Sequence, residues 1–144
     1  MKVDHFIIGT HDVPGSARFY VELFGFREGP AFDGGVNLEG EACDLVVCAL
    51  ERPRLPNPAH LAFRAETLAE FEGLLNRSER LNLEPRSLPE KASPRGAGTF
   101  KKGGGRYKNF YVLDPSGVNV EVIIRGCSDS LVPEAVPEAH ERMG

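Results

Sequence analysis

Two histidines and a glutamate, His5, His60 and Glu121, hold the same place in three separate strand-like segments. His5 lies in Val3-Asp4-His5-Phe6-Ile7-Ile8, His60 in Ala59-His60-Leu61-Ala62-Phe63, and Glu121 in Val118-Asn119-Val120-Glu121-Val122-Ile123-Ile124. Side chains alternate across a strand. Phe6 and Ile8, Leu61 and Phe63, and Val120 and Val122 therefore share one face, and the three polar residues take the other. Two imidazoles and a carboxylate on one face of a sheet form a donor set for a divalent metal with open coordination positions. Glu121 carries the most weight. It interrupts a run of valines and isoleucines, where a carboxylate needs a partner or a metal to offset its lost hydration. Arg64 has the parity of His60 and Ala62, which places it to bind an anionic part of a substrate.

The elements that must position these residues repeat. Shifting the chain by 55 residues superposes His5 on His60, Asp12 on Thr67, Val13 on Leu68, Phe19 on Leu74 and Tyr20 on Leu75. The match is one of roles: a strand, a helix cap, then an apolar helix face. Asp12 is an N-cap, Pro14 suits the first helical turn, and Gly25 stops the helix after Phe19, Tyr20, Leu23 and Phe24. Thr67-Leu68-Ala69-Glu70 reads as a capping box ahead of Phe71, Leu74 and Leu75 at helical spacing. Strands are predicted after the first helix at Gly35–Leu38 and Cys43–Leu50. After the second they are predicted at Tyr107–Leu113 and Val118–Arg125, with a weaker one near Glu84–Leu88. Asp114-Pro115-Ser116-Gly117 joins the last two as a hairpin turn.

The expected organisation is α+β. Two β-α-β-β-β modules, residues 1–52 and 58–126, make one domain over residues 1–126, and residues 127–144 form a peripheral tail. Arg52-Pro53-Arg54-Leu55-Pro56-Asn57-Pro58 reads as the linker, since its prolines forbid a helix and disfavour central-strand pairing. Residues 89–105, rich in glycine, proline and lysine, read as a long loop.

Composition narrows the function classes. The chain has 144 residues, 41% hydrophobic and 26% charged, with a net charge of -4, and a pI near 5.6. That balance argues against nucleic acid, whose binders usually carry a basic face. The short basic stretch around Lys101, Lys102, Arg106 and Lys108 reads as a solvated loop. No apolar run approaches a membrane span, and no signal-peptide core precedes the first strand. Cys43, Cys48 and Cys127 form no C-x-x-C pair and leave one odd, which suits a reducing, cytoplasmic setting. Cys48 reads as a core residue. Gly103-Gly104-Gly105 lacks the Lys-Ser/Thr that completes a phosphate loop.

These features resemble the vicinal oxygen chelate superfamily, which includes glyoxalase I, extradiol dioxygenases, fosfomycin-resistance enzymes and bleomycin-binding proteins. The resemblance covers about residues 1–125. It rests on Val3-Asp4-His5-Phe6-Ile7-Ile8, Asp12-Val13, Phe19-Tyr20 and Leu23-Phe24-Gly25-Phe26. It rests further on Phe110-Tyr111-Val112-Leu113-Asp114-Pro115-Ser116-Gly117-Val118-Asn119-Val120-Glu121, which fits the ring-cleaving pattern Tyr-x-x-Asp-Pro-x-Gly-x-x-x-Glu. The resemblance implies a cup-shaped mixed sheet with helices on its outer face and one divalent ion, iron, manganese, nickel or zinc, held by His5, His60 and Glu121. A fourth ligand would fall within Cys43–Leu50, where Leu45, Val46 and Val47 offer none. It also implies a small-molecule substrate and a homodimer, with no nucleic-acid or membrane partner.

Tyr111 precedes Glu121 by ten residues, as the corresponding tyrosine does in the dioxygenases and the fosfomycin enzymes. With Phe110 and Val112 toward the helices, Asn109 and Tyr111 face the cup. There the phenol of Tyr111 would act beside Glu121 on a substrate oxyanion. Asn109, Arg64 and Lys102 would contact substrate. Two departures stand out. The catalytic histidine of the dioxygenases is absent where this chain has Lys102, Gly103 and Gly104, so catechol cleavage should be slow. Ile7 stands where the fosfomycin enzymes carry a small polar or thiol residue. The implied function is a metal-dependent lyase, isomerase or dioxygenase acting on a small oxygenated substrate. A metal-free sequestering module of the bleomycin type, and a fosfomycin-type thiol transferase or epoxide hydrolase, are the alternatives.

Overall fold

The computed structural model describes residues 1–50, 60–88, 95–102 and 105–125, with backbone alone at 99–102 and 105–107. The expected linker at Arg52–Pro58, Cys127, the tail at 127–144 and the side chain of Lys102 lie outside the described residues. Two compact units are formed, each with one helix and a four-stranded mixed sheet among the described residues.

The first unit contains β1 (His5–Thr10), α1 (Val13–Phe24), β2 (Arg27–Phe32), β3 (Gly35–Glu39) and β4 (Asp44–Ala49), in sheet order β1-β4-β3-β2. The second contains β5 (His60–Arg64), α2 (Leu68–Arg80), β6 (Gly98–Lys102), β7 (Gly105–Leu113) and β8 (Asn119–Arg125), in order β5-β8-β7-β6. In each sheet the opening strand runs parallel to the last, and the other pairs are antiparallel. The β-α-β-β-β repeat is thus present twice. Its period holds to the residue at three points: β1 and β5 open at His5 and His60, the N-caps are Asp12 and Thr67, and the helices open at Val13 and Leu68.

Local chemistry accounts for both helices. Asp12 accepts from the Gly15 N–H, and Gly25 closes α1 in the left-handed region at φ 75°, a conformation glycine adopts without a steric penalty. Thr67 accepts from the Glu70 N–H at 3.1 Å, and Glu70 reaches back to the N–H of Glu66 rather than that of Thr67. The capping pair forms one residue wider than expected. α1 lies against β3 and β4, and Ala17, Phe19, Tyr20 and Leu23 are buried together with Ile8, Val36, Leu38, Leu45 and Val47. α2 lies against β8, and Phe71 meets Phe110 edge-on at 5.4 Å.

Both strands missing from the sequence reading are edge strands. β2, Arg-Glu-Gly-Pro-Ala-Phe, has an irregular register between Glu28 and Ala31 and carries Pro30, which an edge tolerates. β6 falls inside the segment expected to be a loop at 89–105, and its ladder with β7 runs from Gly98–Asn109 to Lys102–Gly105. The weaker strand expected at Glu84–Leu88 is reduced to Arg86, whose backbone bridges Tyr111 and Arg95. Arg86 and Tyr111 exchange two hydrogen bonds, at 2.9 and 2.7 Å, continuing the edge of β7 past the end of β6. Among the described residues, no helix is long and apolar enough to cross a membrane.

The turn between β7 and β8, Asp114–Val118, belongs to the first unit. Asp114 Oδ1 accepts the N–H groups of Ser116 and Val118, which makes the turn, and Oδ2 accepts the Tyr20 hydroxyl at 2.9 Å. Ser116 Oγ meets Ser16 Oγ at 3.2 Å, and Ser16 in turn meets Thr10 Oγ1 at 2.8 Å. Burial pushes the Asp114 carboxyl above its ordinary pKa of 3.8, against the opposing pull of the Val118 N–H, the Tyr20 hydroxyl, the Ser116 N–H and nearby His11. A pKa raised in the folded state gives stability that is fully present below the unfolded pKa and is lost as pH rises through the folded value. The stability of the wild type relative to Asp114→Asn should therefore fall as pH rises above 3.8. Urea titrations of both proteins at several pH values measure this, and a gap that widens toward neutrality would contradict it.

Candidate functional site

The second unit presents its candidate residues on the sheet face opposite α2. In β5, Leu61 and Phe63 are half-buried, whereas His60, Ala62 and Arg64 are exposed. The parity read from sequence is the observed one. β8 is buried on both faces between Val120 and Ile124. Ladder register places Glu121 beside Ala62 on one side and Tyr111 on the other. Partners in a ladder point the same way, so His60, Ala62, Arg64, Glu121, Tyr111, Asn109 and Ile123 share this face.

Three of these side chains converge on the Glu121 carboxylate or its immediate neighbour. Glu121 is 9% exposed, and its Oε1 lies 3.5 Å from His60 Nε2. Its Oε2 accepts a short hydrogen bond from the amide nitrogen of Asn109, itself 2% exposed. The rings of His60 and Tyr111 meet edge-on, with centroids 5.8 Å apart. Asn109 lies on the expected face with its amide already committed to Glu121. Arg64 is exposed two residues along the strand from Ala62.

The first unit supplies His5. It is exposed, and its Nδ1 lies 2.7 Å from Asp4 Oδ2. The ladder of β1 with β4 pairs His5 with Asp44, Ile7 with Val46 and Gly9 with Cys48, while Asp44 accepts from the Asn37 amide and the Gly40 N–H. In the second unit His60 pairs with Asn119. The residue two beyond that partner is Glu121; the residue two beyond Asp44 is Val46. The first module therefore carries a valine where the second carries its carboxylate, and a fourth ligand has no donor at that position. Cys48 corrects one expectation: it is half-buried, with the parity of His5 rather than of the core residues Leu45 and Val47.

Among the described residues, no three or more His, Cys, Asp or Glu side chains are gathered as a metal would need. The second unit nevertheless offers two compatible donors. The 3.5 Å between His60 Nε2 and Glu121 Oε1 is near the ~3 Å edge between adjacent ligands that each lie about 2.1 Å from an ion. Neither lysine nor arginine neutralises Glu121 among its described contacts. Its polar surroundings are an imidazole and an amide. That donor chemistry suits a cation shared with His60.

Comparison with known proteins agrees with this fold. The profile of the Glyoxalase/Bleomycin resistance protein/Dioxygenase superfamily matches residues 2–122, and the chain belongs to that family. Among solved structures it is similar to Oxidase ChaP-H2, with 25% identity, a TM-score of 0.70, and coverage of 87% of this chain and 94% of that one. It is also similar to a glyoxalase/bleomycin resistance protein/dioxygenase from Alicyclobacillus acidocaldarius, with 17% identity, a TM-score of 0.70, and coverage of 90% and 95%. A third similar structure is lactoylglutathione lyase from Agrobacterium tumefaciens, with 19% identity, a TM-score of 0.62, and coverage of 84% and 91%. Comparison with curated proteins gave no match.

Proposed function

We propose that the chain is a divalent-metal-dependent enzyme that oxidises a small, oxygen-rich substrate. The observation that carries this reading is the buried Glu121 carboxylate facing His60 Nε2 at 3.5 Å on the polar face of the second sheet. His60 and Glu121 of the second unit would hold the ion. When bound, such an ion supplies Lewis-acid polarisation of substrate oxygens and, if iron, electrons for dioxygen. Similarity to an oxidase at 25% identity supports oxidative chemistry over lyase chemistry; the likeness to the lyase, at 19%, bears on the fold alone.

The chain's own groups would do the remaining work. The Tyr111 phenol, beside His60, would donate to an oxyanion developing on the substrate, and Arg64 would pair with a substrate carboxylate or other anionic group. No histidine lies between His60 and Glu121, so Tyr111 is the nearest group on this strand that can carry a proton.

Reconstitution with iron, manganese, nickel and zinc in turn, followed by dioxygen-uptake assays on catechols, α-hydroxy ketones and 2-oxo acids, tests the reading. Metal-dependent uptake is expected with at least one pair. Tyr111→Phe should lower that turnover by about 10²-fold, the size of effect seen for a lost oxyanion donor, with metal affinity almost unchanged. Wild-type protein that binds none of the four metals would overturn the proposal.

A further inference from the structure

Asn109 is a buried amide with one end committed and the other unmatched. Its nitrogen donates to Glu121 Oε2, while its Oδ1, also buried, has no hydrogen-bond partner among the described residues. The orientation follows from chemistry. A carboxylate only accepts, so turning the amide round would set oxygen against oxygen. An unmatched buried acceptor costs roughly 1–3 kcal/mol, so Asn109 is a poor choice for stability alone. An apolar side chain would remove that cost together with the donor to Glu121 Oε2.

Its place in the ladder explains what it reaches. Tyr111 stands directly opposite Glu121, and Asn109 stands opposite Ile123, so Asn109 and Glu121 are diagonal neighbours on one face. Such neighbours are within reach of one another's side chains. On its other side Asn109 faces Gly98, which has no side chain to compete for the amide. The two carboxylate oxygens thereby become unequal. Oε2 is taken by Asn109, and Oε1 is the one that faces His60 Nε2.

We infer that Asn109 is a positioning residue, holding the Glu121 carboxylate by Oε2 so that Oε1 alone is presented, together with His60, to the bound cation. This rests on the metal-dependent reading above. One-oxygen ligation leaves a coordination position free for substrate, whereas a released carboxylate can turn both oxygens toward the ion. The role is one step removed from the metal: Asn109 acts only through Glu121.

The test is titration of Co²⁺ into the wild type, Asn109→Leu and Asn109→Ala, followed by visible absorption and paired with thermal unfolding of the metal-free proteins. Both variants should bind Co²⁺ about 10- to 100-fold more weakly, the usual cost of removing a group that orients a ligand. Their visible bands should weaken as a second carboxylate oxygen raises the coordination number, and the unfolding midpoints report separately any stability lost with the amide's hydrogen bond to Glu121. Wild-type affinity and spectrum in Asn109→Leu would overturn the inference while leaving the metal reading intact. A lower unfolding midpoint with unchanged affinity would do the same, assigning Asn109 a purely structural role. Absence of binding in the wild type of Co²⁺ and of the four metals above would instead bring down the metal reading, and this inference with it.

Discussion

Glu121→Gln is expected to weaken divalent-metal binding by more than about 100-fold, beyond the ~10- to 100-fold typical of residues that only orient a ligand. The carboxylate supplies the negative charge opposing the cation, and the amide that replaces it supplies none. The fold should tolerate the change. The new side-chain amide can turn its oxygen toward the Asn109 nitrogen that donates to Glu121 Oε2 in the wild type, and the buried charge disappears. Metal titration with thermal unfolding on the same samples separates the two effects. Equal affinity in the variant would remove Glu121 from the site. A large fall in the unfolding temperature would mark its role as structural.

The largest loss of stability is expected from Asp114→Ala. One side chain accepts the Tyr20 hydroxyl and the N–H groups of Ser116 and Val118, all in buried surroundings. Each buried donor left without an acceptor costs roughly 1–3 kcal/mol. The three donors converge on one side chain and relax together, so about 3–5 kcal/mol is the expected total. That is a large part of the ~5–15 kcal/mol that holds a typical domain folded. Tyr20→Phe, which leaves both turn hydrogen bonds in place, should cost clearly less. Chemical denaturation of the two variants beside the wild type measures the difference. A cost below about 1 kcal/mol for Asp114→Ala would show that water satisfies the turn as well as the carboxylate does.

Much of this architecture was legible in the sequence wherever a local rule governs it. His5 and His60 open matching strands, and Asp12 and Thr67 cap matching helices, because strand alternation and capping are written in neighbouring residues. The face shared by His60, Arg64 and Glu121 followed from period-two parity in the same way. The edge strands were not legible. β2 contains Gly29-Pro30 and β6 has Phe100 as its one large apolar residue; both gain their conformation from the neighbouring ladder rather than from an amphipathic pattern. The contact between Asn109 and Glu121 was hidden for a related reason. It joins diagonal positions on two strands, so it depends on a register that no single segment encodes. Cys48 shows the same limit: its hydrophobic surroundings suggested the core, and only its alignment with Gly9 reveals the parity of His5. The family profile over residues 2–122 matches the extent read from the motifs, whose turn and strand residues are contiguous and therefore visible.

The turn at Asp114–Val118 has a consequence for the order in which the chain can mature. Tyr20 and Asp114 are 94 residues apart in sequence, and Ser16 and Ser116 are 100 apart. Contacts this remote close late, after the loop entropy between them has been overcome. During synthesis α1 emerges well before its last polar partners: Ser16 can meet Thr10 early, but Tyr20 waits for Asp114 until the final hairpin arrives. A fragment ending before Asp114 would therefore be a half-finished module rather than a small protein, though it carries every strand and the helix of the first sheet.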